Sequence, residues 1–231
     1  MSPSLAMVGV RGLGREIALH FARKGWRVLC AARTLADVER LAAEVTQAGG
    51  TGVAVACDIT VPASLERFQH ESLDLVVAAQ TSGLRFGALP LLDISDEEFA
   101  RSFEAYARGT WNLLKAFGPR MLAQRHGTFL QMGTSSGIRT KEGFAGLGAA
   151  QHALRALVQV AAREWRSGGV HVAYLPIDGP IATEGDGFRG GQFLTPEAIA
   201  EACAYLHAQS PDAWTHELVL RPSAGEWTAP S

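Results

Sequence analysis

The chain of 231 residues has only three cysteines, Cys30, Cys57 and Cys203, each inside an apolar stretch. An odd number without ligand spacing argues against a disulfide framework or a zinc site. It reads as small buried side chains in a reducing, cytoplasmic compartment. The seven histidines are scattered, with no HExxH or comparable spacing, so no metal is expected. Surplus charge is lacking too: 21 Lys and Arg against 23 Asp and Glu leave −2. With no basic stripe, no nucleic-acid partner is expected. No apolar run is long enough to span a bilayer, and the N-terminus lacks the basic lead and apolar core of a signal peptide. No internal repeat or low-complexity tract appears. What remains is 47% hydrophobic and 19% charged, enough for one sizeable core and a single domain over 1–231.

The N-terminal third carries the clearest pattern. Leu5 to Val8 is a short apolar run, followed by Gly9-Val10-Arg11-Gly12-Leu13-Gly14 and helical periodicity at Ile17, Ala18, Phe21 and Ala22. A second apolar run, Trp26 to Ala32, ends at Arg33. Strand, glycine turn, helix and strand form the opening half of a dinucleotide-binding unit. Glycines there let the backbone bend sharply and approach a phosphate, and the helix aims unpaired N–H groups at it.

The pattern continues downstream. Thr34 starts a helix with a stripe of Leu35, Val38, Leu41, Ala42 and Val45, stopped by Gly49-Gly50. Gly52 to Cys57 is a third strand, and Thr60 to His70 is a short helical segment with Leu65 and Phe68 inward. Leu73 to Ala79 is the fourth strand. A long helix is predicted over Ser95 to Gln124, with Phe99, Phe103, Ala107, Trp111, Leu114 and Phe117 on its apolar side and Pro119 as a possible bend. Phe129 to Met132 is strand five and Leu147 to Arg166 a helix with little polar face. Val170 to Ile177 is strand six. Residues 178–194 are expected to be a loop or lid over the site. Thr195-Pro196-Glu197 opens the last helix, and Trp214 to Leu220 is the last strand. Apolar strands alternating with helices indicate a parallel sheet covered on both faces. Ligands in such sheets sit beyond the C-terminal strand ends, which here carry Gly9–Gly14, Arg33, Asp58, Ala79–Gly83, Gly133–Ser136 and Ile177–Thr183.

These stretches together resemble the short-chain dehydrogenase/reductase family. The similarity rests on Val8–Gly14, Ala31-Ala32-Arg33, Cys57-Asp58, Leu73–Val77, Gly133–Gly137 and Gly168–Val172, with the Pro196–Ala200 helix. It implies a three-layer α/β Rossmann fold with a doubly wound, mainly parallel seven-stranded sheet. It also implies a nicotinamide dinucleotide held by Gly9, Arg11, Gly12, Leu13, Gly14, Arg33, Asp58, Ala79 and Asp178. Arg33, where an acid would hold a ribose diol, favours NADP. Pairing through the two long helices into a homodimer or homotetramer is expected, with a small molecule as substrate or ligand.

The departures from the family are as informative. Only Val10 and Arg11 separate Gly9 from Gly12, one residue fewer than the family's turn, and Ala78-Ala79-Gln80-Thr81 replaces its Asn-Asn-Ala-Gly run. By register, its catalytic asparagine falls on Tyr106, serine on Thr134, tyrosine on Leu147 and lysine on Gln151. Leu147 cannot transfer a proton and Gln151 cannot supply charge. The expectation is therefore a degenerate member retaining NADP binding without standard Tyr/Lys catalysis. The alternatives are an atypical NADP-dependent oxidoreductase using Thr134, with Tyr106 or water, and an interaction scaffold that no longer binds nucleotide.

Overall fold

The computed structural model describes residues 2–80, 89–182 and 191–224. Residues 183–190 of the expected loop or lid lie outside them, as do Thr81–Gly83. Six parallel strands form one sheet in the order β3-β2-β1-β4-β5-β6: β1 Ser4–Val8, β2 Arg27–Ala32, β3 Thr51–Ala56, β4 Leu75–Ala78, β5 Thr128–Thr134 and β6 His171–Ile177. The crossover from β3 past β1 to β4 creates a switch point. There the chain leaves β1 and β4 toward opposite faces of the sheet, the position at which such sheets take ligands.

Helices cover both faces. On one side α1 (Leu13–Ala22), α2 (Leu35–Gln47) and α6 (Pro196–His207) bury Ile17, Phe21, Val38, Leu41, Ile199 and Leu206 against Leu5, Met7 and Val28. On the other, α3 (Asp96–Phe103), α4 (Gly109–Gln124) and α5 (Ala145–Trp165) enclose Phe117, Phe129, Leu154 and Val158. Strand residues alternate between these two cores, which is why the strands read as continuous apolar runs. Leu65 and Phe68 are buried from a 3₁₀ segment, Pro62–His70. Ser95 starts α3 with a reciprocal capping box to Glu98, and the Thr195 hydroxyl accepts from the Ala198 N–H at the start of α6.

Two expectations change. The seventh strand is an extended segment beside β6, joined by parallel bridges at Tyr174–Glu217 and Ile177–Leu220. The N–H groups of Tyr174 and Asp178 donate to His216 and Leu220, while those of Leu218 and Leu220 donate to Tyr174 and Pro176. The rung missing between them is the one Pro176 would donate, and proline has no N–H.

The long helix runs without a break from Asp96 to Gln124 but contains a π turn over Glu104–Arg108. Its inward face is built from Ser102, Tyr106, Gly109, Thr110, Leu113 and Phe117. Small side chains on that face let the helix lie close to its neighbours; a Cβ on Gly109 would sit 2.6 Å from Ile59 Cδ1. Of the predicted stripe, Leu114 and Phe117 are buried, but Phe99 and Trp111 are 44% and 46% exposed.

Candidate functional site

A cleft of about 200 Å³ opens at the switch point, lined by Gly9, Val10 and Arg11 of the first turn and Ala32, Arg33, Thr34 and Asp37 after β2. Asp58, Ile59 and Thr60 close one wall, and Ala79, Gln80 and Ala105 the other. The glycines of the turn are used differently. Gly9 has φ +92°, and a Cβ there would fall 2.5 Å from the Ala79 carbonyl oxygen; a Cβ on Gly14 would fall 1.8 Å from the Gly9 oxygen. These two hold backbone against backbone. Gly12, at φ +49°, has nothing within 4 Å of a would-be Cβ, so it leaves open space at the start of α1. Leu13, its first helical residue, is partly exposed. An open glycine cradle at a helix N-terminus fits a dinucleotide phosphate, although the turn is one residue short.

Arg33 is exposed on the cleft rim. Thr34 begins α2 without a side-chain cap bond. Arg11 is tied to the first turn of α2. Its Nε and Nη2 donate to Asp37 Oδ2 at 2.9 and 2.5 Å. Asp58 caps its own turn, Oδ1 accepting from the Thr60 N–H and hydroxyl at 2.9 and 2.8 Å, while still facing the cleft.

At the C-terminal end of β5, the Thr134 oxygen accepts from the Ser136 N–H at 3.2 Å, which leaves its O–H available to donate. Gln151, 1% exposed, accepts the Thr134 N–H on Oε1 at 3.3 Å. A lysine, which has donors only, could not make that contact. Leu147 is buried one turn earlier on α5. Tyr106 is 6% exposed and lies in the core on the α4–α5 side. The structure thus joins Thr134 to Gln151 and gathers the first turn with Arg33, Asp58 and Ala79; Thr134, Tyr106, Leu147 and Gln151 are not among the residues lining the cleft.

Asp178 follows β6 but is occupied by arginines. Arg139 donates to both carboxylate oxygens at 2.9 and 2.6 Å, and Arg221 donates to Oδ2. Burial pushes Asp178 upward, but hydrogen bonds from Arg139 and Arg221 outweigh it and hold the carboxyl below the usual carboxylate range.

Sequence reasoning overlooked a second network. Gln131, fully buried in β5, donates from Nε2 to the oxygens of Ala78, Gln80 and Met132. Its Oε1 accepts from Thr110, whose oxygen accepts from Gln80 Nε2 at 3.0 Å. This network fastens the β4 end at the place where the family carries asparagines. A glutamine inside Phe129-Leu130-Gln131-Met132 was the available signal, because buried polar groups are informative.

Among the described residues no helix is long and apolar enough to cross a membrane, and no cluster of His, Cys, Asp and Glu could hold a metal ion.

A family model described as Enoyl-(Acyl carrier protein) reductase matches residues 8–217. The chain belongs to the short-chain dehydrogenase/reductase superfamily. Among solved members, a short-chain dehydrogenase from Rhodopseudomonas palustris is 28% identical with a TM-score of 0.80, over 95% of this chain and 98% of that one. An alcohol dehydrogenase from Thermococcus sibiricus complexed with 5-hydroxy-NADP is 26% identical with a TM-score of 0.84, over 99% and 100%. An NADPH-dependent pterin aldehyde reductase of Arabidopsis thaliana is 26% identical over 94% of this chain and 86% of its own length. Solved short-chain dehydrogenase/reductase relatives hold NADP, and NADP is the cofactor this chain's membership supports.

Proposed function

We propose that this short-chain dehydrogenase/reductase binds NADP(H) with its adenosine half in the cleft and acts as an atypical oxidoreductase on a small carbonyl or alcohol. The observation that carries the proposal is the cleft itself: Gly9 and two arginines, Arg11 and Arg33, line it, and Gly12, next to Arg11 in the same turn, leaves open space at the start of α1. The NADP-linked relatives point the same way. The bound dinucleotide supplies or accepts the hydride. Thr134 orients the substrate oxygen through its O–H. With Leu147 and Gln151 on α5, the proton is exchanged with water rather than a side chain, so turnover is slow; a positioned acid or base ordinarily contributes about 10²–10⁴-fold. Tyr106 fills core space.

Fluorescence titration with NADPH and NADH tests this. Substituting Arg33→Ala should weaken NADPH about tenfold or more, the worth of a charge-assisted hydrogen bond, and leave NADH unchanged. Equal loss for both would reject Arg33 as a phosphate contact, and no binding of either would reject the proposal. NADPH binding without turnover across a panel of aldehydes, ketones and alcohols would favour the binding-only descendant, which Leu147 and Gln151 also suit.

The helix face formed by exposed Phe99, Trp111 and Val160 fits pairing of two copies. The groove between Phe103, Ala107, Trp111 and Leu157 continues it. Trp111→Glu is expected to shift a dimer or tetramer to a smaller species in light scattering at micromolar concentration. An unchanged mass would remove this face from the interface.

A further inference from the structure

Asp37 is a buried carboxylate on a helix that otherwise turns polar residues to solvent: its side chain is 10% exposed, while its partners Arg11 and Arg40 are 73% and 60% exposed. Its two oxygens are divided. Oδ2 takes both donors of Arg11, and Oδ1 takes Arg40 Nη2 at 2.7 Å. Hydrogen bonds from Arg11, then from Arg40, hold the carboxyl below its usual range against burial, so it stays charged at neutral pH. Asp37 lies in the first turn of α2, one turn after Arg33 and Thr34, and shares the cleft wall with both and with Arg11.

An arginine that is three-quarters exposed on a glycine turn has many rotamers, and ordering it on a ligand costs conformational entropy. Asp37 removes that cost in advance. It fixes Nε and one Nη2 donor of Arg11 and leaves the Nη1 edge of the guanidinium. Two cations against one carboxylate leave a net positive charge, to which Arg33 and the N-terminal end of α2 add. We propose that Asp37 is the positioning residue that sets selectivity for a phosphomonoester on the adenosine ribose, by holding Arg11 in place on the cleft wall it shares with Arg33. This rests on the reading of the cleft as an NADP(H) site and names the residue that makes it prefer the phosphorylated nucleotide.

The competing electrostatic consequence has the opposite sign. A carboxylate near a dianionic phosphate repels it, so if repulsion dominated, neutralising Asp37 would tighten binding. Because Arg11 and Arg40 already neutralise it, positioning wins.

The test is binding of adenosine 2′,5′-bisphosphate and of AMP by calorimetry, with NADPH and NADH alongside. Asp37→Asn should weaken the bisphosphate and NADPH about tenfold, with AMP and NADH unchanged as evidence of an intact fold and cleft. Arg11→Ala should cause the same loss. The double variant should be no worse than either alone, because both remove one arrangement. Tighter or unchanged bisphosphate binding by Asp37→Asn, or losses that add in the double variant, would overturn the positioning role while the NADP(H) reading stands. Wild-type protein that binds none of the four would overturn both.

Discussion

Replacing Asp178 with alanine is expected to destabilise the protein by about 3–5 kcal/mol, the range for removing one partner of a buried ion pair. The side chain is 5% exposed and both arginines around it are 13% exposed. Without the carboxylate, Arg139 and Arg221 would face each other as buried like charges. The Nε of Arg139 already lacks a hydrogen-bond partner among the described residues. The loss should appear as a lower urea midpoint with an unchanged slope. It should also loosen the Trp214–Ala224 segment, because Arg221 is one of that segment's anchors, alongside the Arg155–Glu217 pair from α5. Faster amide exchange at 218 and 220 would report this. A loss under 1 kcal/mol would mean that water replaces the carboxylate.

The same group fixes an acid limit. Its folded-state pKa lies below the unfolded value, near 3.9 for an aspartate. Its stabilisation is therefore fully present above that value and disappears as pH falls through the lowered folded value. Below about pH 4 the wild-type protein should lose stability more steeply than Asp178→Ala, in which this linkage is gone. Parallel pH profiles for the two proteins would remove Asp178 from the acid transition.

The contrast between Gly9–Gly14 and Asp178 shows what a sequence makes legible. The glycine turn is local: strand, turn and helix are contiguous, and the requirement for φ above zero at Gly9 and Gly12 is written in residue type. The parallel sheet was legible for a similar reason, since strands apolar on both faces admit few other arrangements. The family resemblance makes Asp178 a cofactor residue at a strand end, yet its partners lie 39 positions before it and 43 after it. No periodicity connects Arg139, Asp178 and Arg221; only the packing of β6 against the C-terminal segment does. Arg11 and Asp37 are 26 apart and equally silent in sequence. The seventh strand was legible as an extended apolar segment, and its interruption followed from Pro176. The outward turn of Phe99 and Trp111 was not legible, because helical periodicity gives the spacing of an apolar stripe and not which part of it meets the core.

The other large effect is expected one residue before Thr134. A Cβ on Gly133 would lie 2.2 Å from both Cε2 and the hydroxyl oxygen of Tyr174, on the neighbouring strand. Tyr174 is 1% exposed and cannot retreat along its own axis, since a Cβ on Gly137 would also come within 2.3 Å of the same hydroxyl. The ring is thus seated between two glycines that leave it the required volume. Gly133→Ala should cost about 3 kcal/mol, the upper end for overpacking a core. It should also displace Thr134, whose N–H is held by Gln151 and whose hydroxyl carries the proposed substrate contact, so any measured kcat should fall more than KM rises. Shrinking the ring separates overpacking from backbone strain. In a Tyr174→Leu background, Gly133→Ala should cost about 1 kcal/mol or less, a coupling of the size neighbours in contact show. If the cost is the same in both backgrounds, the glycine is required by its own backbone and not by Tyr174.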